Sequence, residues 1–312
     1  MIPSATIVVT QREGFHLTRE SLQTLLQSVG ESIPIICVDG GSPPECRDFL
    51  ASQQGSRLLH IRTNHFLSPN EAKQLALPHI ITPFAAFVDN DVLFQPGWLD
   101  LLLEIAAEKN AAATAPFYRE RIGTSEKIHM AGGQARIDES AARRLLIVTH
   151  DQRKSRGELH HDNPFPTSHI EMHALLVRME FLHRRPDLFD PAIPSIPENV
   201  DFCLGIQAMG GSIWMDPRAV VTIVLPKKIS EADRAFYLTR WSQESQLRGL
   251  ARFREKWNLH GRQPVLESQL RWAVAHRVVA RRFSLYRLLG IASDSMLNRR
   301  LLAPLEHRLL GA

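Results

Sequence analysis

The sequence predicts an α/β fold, a mostly parallel central sheet flanked by helices, with a helical extension behind it. Three observations carry this. Over the first third of the chain, short β-branched runs alternate with amphipathic stretches, the pattern of strands joined by crossover helices. Asp39 and Asp89 each stand directly behind one of those apolar runs. Beyond Pro226 strand signals vanish and Arg and Leu recur at helical spacing, which divides the chain into an α/β domain over 1–226 and a helical extension over 227–312.

Ala5–Thr10 is the first strand. Thr18 is placed to cap a helix whose Leu22, Leu25, Leu26 and Val29 share a face, and Gly30 stops it. Ile33–Val38 is a second buried strand, ended by Asp39-Gly40-Gly41-Ser42-Pro43-Pro44, residues that favour a turn and then a helix start. Arg57–Arg62 is a weaker third strand and Pro69–Leu77 a short helix. Phe84–Val88 is the fourth strand and runs into Asp89-Asn90-Asp91; Pro96 and Gly97 then open a helix with Trp98, Leu101, Leu102 and Ile105 on one side. A fifth strand follows near Ala111–Phe117. Arg119 to Thr167 reads as irregular, with a His- and Arg-rich loop between Thr149 and His169. Ala174–Val177 returns as a strand, and Glu198–Met209 is a helix closed by Gly210-Gly211. Ser212–Met215 and Ala219–Leu225 read as two strands around a Pro217 turn.

Composition bounds the function classes. The 312 residues, 44% hydrophobic, suffice for one large core with a small appendage. A formal charge of +4 suits an enzyme that handles phosphates but does not argue for nucleic acid. Cys37, Cys46 and Cys203 are too few and too scattered for a disulfide framework, which points to a reducing compartment. No signal-peptide pattern opens the chain. The most apolar stretch, Ala76–Val88, is broken by Pro78, His79 and Pro83 and falls short of the ~20 residues that span a bilayer, so a cytoplasmic protein is expected.

In an open α/β sheet, ligands bind beyond the carboxyl ends of the strands. Asp39 there either caps the helix after Pro43 or accepts hydrogen bonds from a nucleoside. Asp89 and Asp91 straddle one residue and can direct oxygens at a hard divalent cation, Mn²⁺ or Mg²⁺, which typically takes one or two carboxylates plus substrate phosphates. Polar residues at a strand end carry little packing, so Asp89→Ala and Asp91→Ala are expected to spare the fold. Glu198 and Asp201 share one face in the first turn of a helix, where they are either ordinary first-turn acids or include a general base.

Taken in order, Ala5–Thr10, Val38-Asp39-Gly40-Gly41-Ser42, Asn70 with its helix, Phe87-Val88-Asp89-Asn90-Asp91-Val92 with Pro96-Gly97-Trp98-Leu99, Phe189-Asp190 and Glu198-Asn199-Val200-Asp201-Phe202 resemble the landmarks of family 2 glycosyltransferases. The resemblance runs from about residue 5 to 225. It implies a GT-A fold, a Rossmann-like sheet binding a nucleotide-diphosphate sugar, a divalent metal, and inverting transfer to an acceptor that is a glycan, a lipid-linked sugar or a small molecule. It assigns Thr10, Arg12, Asp39, Asn70, Asp89 and Asn90 to the donor, Asp89 and Asp91 to the metal, and Glu198 to Asp201 to the acceptor side. Two positions depart from the family pattern. Asn199 stands where the family usually has an Asp that is often the base, leaving Glu198, narrowly favoured, or Asp201. Val221-Thr222-Ile223-Val224 stands where members often carry a metal-side His.

His160, His161, His169 and His173 match no standard zinc spacing and read as structural or acceptor-loop residues. His129-Met130-Ala131-Gly132-Gly133 reads as an acceptor loop or an ordinary turn. A nucleotidyltransferase would need a glycine- and basic-rich loop where Thr10-Gln11-Arg12-Glu13-Gly14 stands, and no G-x-G-x-x-G supports a dinucleotide site. An inactive GT-A module serving as a scaffold is the alternative that Asn199 favours. In the tail, Trp272, Val274, Val278, Val279, Phe283, Leu285, Tyr286, Leu288 and Leu289 interleave with Arg271, Arg277, Arg281, Arg282 and Arg287. Such a stretch either packs on the α/β domain, joins two copies, or lies on the anionic inner face of a membrane.

Overall fold

The computed structural model describes residues 5–139, 144–151, 162–225, 229–280, 284–291 and 295–310. The first part of the chain runs β1 (Ala5–Thr10), α1 (Thr18–Ser28), β2 (Ile35–Gly40), α2 (Pro44–Ser52), β3 (Leu58–Thr63), α3 (Pro69–Ala76), β4 (Phe84–Asp89), β5 (Val92–Phe94) and α4 (Trp98–Glu108). Then come β6 (Ala113–Ile122), β7 (Ser125–Met130), β8 (Gly133–Asp138), β9 (Leu145–His150), β10 (Phe165–Thr167), β11 (Ala174–Arg178), α5 (Met179–Arg184), α6 (Glu198–Ala208) and β12 (Ile213–Val224). The extension holds α7 (Glu231–Arg240), α8 (Gln243–Lys256), α9 (Pro264–Val279), α10 (Leu285–Leu288), a π-turn (Asn298–Leu302) and α11 (Ala303–Leu310).

The large sheet has the order β10-β12-β6-β11-β4-β1-β2-β3, with β5 paired to β12 and β7 to β6. β3, β2, β1 and β4 are mutually parallel, whereas β11 enters antiparallel between β4 and β6. Every residue of β1, β2 and β4 is buried, which is why these strands read as unbroken apolar runs rather than alternating ones. α3 follows a full capping box, Ser68 Oγ accepting from Glu71 N–H while the Glu71 carboxylate accepts from Ser68 N–H.

Several expectations are corrected. Thr18 is the first residue of α1 rather than its cap, and its hydroxyl instead accepts from Asn90 Nδ2 at 3.0 Å. The supposedly irregular middle contains strands: β7 pairs with β6, and β8 and β9 form a separate hairpin. Half-exposed polar alternation such as Gln134 and Arg136 hid them. The two strands around Pro217 are one strand, β12, with a register shift between Asp216 and Val220. His160 and His161 lie outside the described residues, as do Arg281, Arg282 and Phe283.

The start of the helical extension belongs to the main core. Phe236 stands edge-on to Phe15 and Phe66, with ring centroids 5.5 and 5.3 Å away, and Leu250, Phe253, Leu259 and Leu266 join the same buried cluster. Burying each such side chain contributes roughly 1.5–3 kcal/mol. Asp233 accepts from the N–H groups of Gly14 and Phe15, both at 2.9 Å, and so ties α7 to the loop after β1. The stretch from Arg271 to Leu289 is not one helix. α9 packs its Trp272 and His276 against Trp241, and α10 begins separately at Leu285. Among the described residues no helix is long and apolar enough to cross a membrane.

Candidate active site

β1 and β4 are neighbours, and Thr10 pairs with Asp89 at their shared carboxyl end. The loops that follow are clamped by Asn90. Its Oδ1 accepts from Arg12 N–H at 2.6 Å, its own N–H reaches Thr10 O at 3.2 Å, and its Nδ2 donates to Thr18. Arg12 is thereby swung onto Asp89, with Nη1 2.7 Å from Oδ2, while His173 Nδ1 approaches the same oxygen at 2.9 Å. Burial would favour the neutral acid, but the guanidinium and the imidazole outweigh it and hold the Asp89 carboxyl below the usual range. Asp91 has no such support. Burial and the Asp89 charge push its carboxyl well above the carboxylate range, and its buried Oδ1 has no hydrogen-bond partner.

Asp39, the penultimate residue of β2, is fully buried, and it does not cap α2. Its Oδ1 accepts from Ser42 N–H at 2.9 Å, and Oδ2 pairs with Arg62 and lies 3.4 Å from His60 Nε2. The turn behind it needs glycine, since a Cβ on Gly40 would stand 2.8 Å from Leu67 N and Gly41 has a φ of +66°. Gln11 closes the same corner by accepting from Gly40 N–H at 3.1 Å.

Asn70, on α3, donates Nδ2 to the carbonyls of Asp190 and Ile193 at 3.0 and 3.2 Å, which brings the segment before α6 against the strand ends. One turn along α3, Lys73 is buried with Nζ unpartnered, and burial lowers its pKa. Glu198, at the start of α6, is also buried with Oε2 unpartnered, and burial raises its carboxyl against the pull of Lys73 and Arg12. Arg12, Lys73, Glu198, Asp89 and Asp91 thus form one buried charge cluster. Glu13 and Arg240 border it as an ion pair of 2.6 Å.

Asp201 belongs elsewhere. Lys256 Nζ reaches its Oδ2 at 2.8 Å and Trp257 Nε1 its Oδ1 at 2.7 Å, so both oxygens are engaged by the end of α8 and the residue after it. Asn199 sits 3.1 Å from His169 Nε2.

Sequence reasoning set the histidines aside and missed a second constellation. His173 lies on Asp89, Glu171 Oε2 is 3.6 Å from His173 Nε2 and 2.9 Å from His129 Nε2, and Glu120 holds His129 Nδ1 at 2.8 Å. The available signal was Glu171-Met172-His173, a carboxylate and an imidazole two residues apart in the bend just before β11. His129 and Glu120 come together only through the β6–β7 pairing.

The chain matches the family model described as glycosyl transferase family 2 over residues 6–174, more than half its length. It is 32% identical over 113 residues to the pre-mycofactocin glycosyltransferase of Mycobacterium tuberculosis, in strains CDC 1551 / Oshkosh and ATCC 25618 / H37Rv alike. That alignment takes in 36% of this chain and 23% of the relative, so the chain spans about a quarter of the length of the curated relatives it matches. The fold is similar to GalNAc-T7 crystallised with UDP, GalNAc and Mn²⁺, with a TM-score of 0.58 and 16% identity over 88% of this chain and 56% of that one. It is also similar to S. aureus TarS 1–349, with a TM-score of 0.51 and 13% identity over 89% of this chain and 80% of that one. With its β1 and β4 ends, the Asp89-Asn90-Asp91 turn and the antiparallel β11 in place, the chain has the GT-A fold and belongs to glycosyl transferase family 2.

Proposed function

We propose that this protein transfers a sugar from a nucleotide-diphosphate sugar to an acceptor hydroxyl by direct displacement with inversion. The observation that carries the reading is the buried cluster at the β1–β4 end, in which Asp91 Oδ1 and Glu198 Oε2 both lack partners. Buried polar atoms are rarely left unsatisfied unless a ligand or ion completes them.

Asp89, Asp91 and His173 offer ligand atoms all within 4.8 Å of one another, and an oxygen-rich set of this kind fits Mn²⁺ or Mg²⁺. Asp89 and Asp91 would hold the ion, with His173 and Arg12 orienting Asp89; when bound, it would neutralise the departing diphosphate. The Mn²⁺ and UDP beside the similar fold of GalNAc-T7 support this choice of cofactor and donor class. Arg12 and Lys73 supply positive charge toward the donor phosphates, Thr10, Asp39 and Asn90 border the nucleoside side, and Asn70 holds the 190–193 segment in register. Glu198 takes the acceptor proton, because its raised pKa suits a base working near neutral pH, whereas the oxygens of Asp201 are occupied by Lys256 and Trp257. On this reading residues 1–226 carry the reaction, 227–312 brace the β1 loop through Asp233, and the acceptor is a glycan, a lipid-linked sugar or a small molecule.

The extension also offers a partner surface. Leu288, Leu289, Met296, Leu301, Leu305 and Leu309 are exposed, with Arg287, Arg300 and Arg308 exposed among them, while Leu302 and Ala303 pack behind on Ala275 and Val278 of α9. Apolar side chains ringed by arginine suit the headgroup region of an anionic bilayer.

The test is a panel of nucleotide sugars screened by thermal shift and donor hydrolysis, with Mn²⁺, with Mg²⁺ and with EDTA. One donor should raise the melting temperature and be hydrolysed in a metal-dependent way. A donor that stabilises the chain without being hydrolysed or transferred would identify the inactive module that Asn199 favours. Absence of any donor effect would overturn both readings.

A further inference from the structure

Next to the Asp89–Asp91 pair, and sharing His173 with it, lies a second cluster of ligand atoms. His129 Nε2, Glu171 Oε2 and His173 Nε2 converge, at 2.9 and 3.6 Å from the carboxylate oxygen to the two ring nitrogens. Ligand atoms about 2.0–2.2 Å from a tetrahedral zinc stand about 3.3 Å apart, so these separations bracket the spacing of a zinc ligand set.

Two further observations fit a set of metal ligands. Glu171 Oε2 is shielded from solvent and accepts no well-directed hydrogen bond, although His129 Nε2 is only 2.9 Å away. Ligand atoms aimed at a common point rather than at each other produce this geometry. In addition, both imidazoles are held from behind by a carboxylate on Nδ1, His129 by Glu120 at 2.8 Å and His173 by Asp89 at 2.9 Å. A carboxylate on Nδ1–H fixes the tautomer that leaves the Nε2 lone pair free, the usual support behind a metal-ligating histidine.

We propose that His129, Glu171 and His173 bind a zinc-class transition-metal cation through Nε2, Oε2 and Nε2. Imidazole ligands favour such ions over Mg²⁺, which separates this site from the all-carboxylate pair beside it. Side-chain exposures of 22% for His129, 20% for Glu171 and 14% for His173 leave one side open, so water or a substrate oxygen can take a fourth position. The ion would bind β7 to the segment leading into β11 and, through His173, lock the orientation of Asp89. Its binding does not depend on the sugar-transfer reading.

The test uses the full chain stripped of metal and titrated with Zn²⁺ alone by calorimetry. Asp91→Asn removes competition from the neighbouring pair; in that background one equivalent of zinc should bind, and adding His129→Asn or Glu171→Gln should weaken it at least a hundredfold. Glu120→Gln, outside the ligand set, should weaken it about 10–100-fold. X-ray absorption of zinc on the otherwise unaltered Asp91→Asn chain should show two imidazoles and oxygen without sulfur, a readout that holds even if a ligand variant misfolds. Failure of Asp91→Asn to bind zinc, zinc affinity unchanged by His129→Asn and Glu171→Gln, or a shell of oxygen alone or containing sulfur would overturn the site and leave an ion-pair network in its place.

Discussion

Arg12 Nη1 stands 2.7 Å from Asp89 Oδ2, with the carboxylate 1% and the guanidinium 14% exposed, so the arginine of the loop after β1 and the aspartate that ends β4 form a single buried ion pair. The expectation that strand-end aspartates can be replaced with the fold spared meets different surroundings at Asp89 and at Asp91. Asp89→Ala removes the carboxylate in direct contact with the buried Arg12 guanidinium, an expected loss of about 3–5 kcal/mol in the unfolding free energy by urea denaturation. Asp91→Ala deletes a carboxylate that has an unpartnered oxygen and should cost far less, while both variants abolish transfer. Equal stabilities for the two would show that the ion pair contributes nothing to the fold.

The pH dependence of the metal-free protein should identify Asp91. Its folded pKa is raised, so between the ordinary carboxylate range and that raised value the folded state holds a proton that the unfolded chain has released. Stability therefore falls as pH rises through this window. Asp91→Asn has no such slope. In EDTA its melting temperature should gain on the parent chain from pH 4 to pH 8, and a constant difference across that range would remove the assignment.

Glu198 and Asp201 should separate cleanly. Glu198→Gln should lower turnover by ~10²–10⁴-fold with donor affinity nearly unchanged, as expected for loss of a general base. Asp201→Asn should instead loosen the anchoring of α8, costing about 1–3 kcal/mol because Lys256 and Trp257 lose a charged acceptor, with turnover per folded molecule retained. Kinetics beside chemical denaturation on both variants decides it, and the reverse pattern would make Asp201 the base.

The exposed apolar face of the extension should bind anionic vesicles. In sedimentation with phosphatidylglycerol liposomes the full chain should pellet at low salt and be released as salt rises. Leu301→Glu with Leu305→Glu, both exposed in the parent, should stay in the supernatant at unchanged melting temperature. Concentration-dependent dimerisation without vesicle binding would assign the face to a second copy instead.

Strands and helices that pack by local pattern were legible in the sequence. β1, β2 and β4 are buried on both faces and therefore appear as unbroken apolar runs, α1 and α4 show their apolar spacing, and α3 and α6 lie close to the expected bounds. The hairpins of the middle were not, because half-exposed strands carry polar residues that resemble loop, and pairing partners beyond the window cannot be read locally.

At the candidate site, the apolar runs of the sequence suffice to place Asp39, Asp89 and Asp91 at the carboxyl ends of buried strands, since each run stops where its carboxylate begins. The tertiary structure alone decided their surroundings. Arg12 meets Asp89 because Asn90 clamps two loops, and His173 joins them because β11 enters antiparallel beside β4. Lys256 removes Asp201 from the cluster because α8 folds back on α6. Each of these is a contact between residues 55 or more positions apart, and its energy depends on distance in space, which local periodicity does not encode.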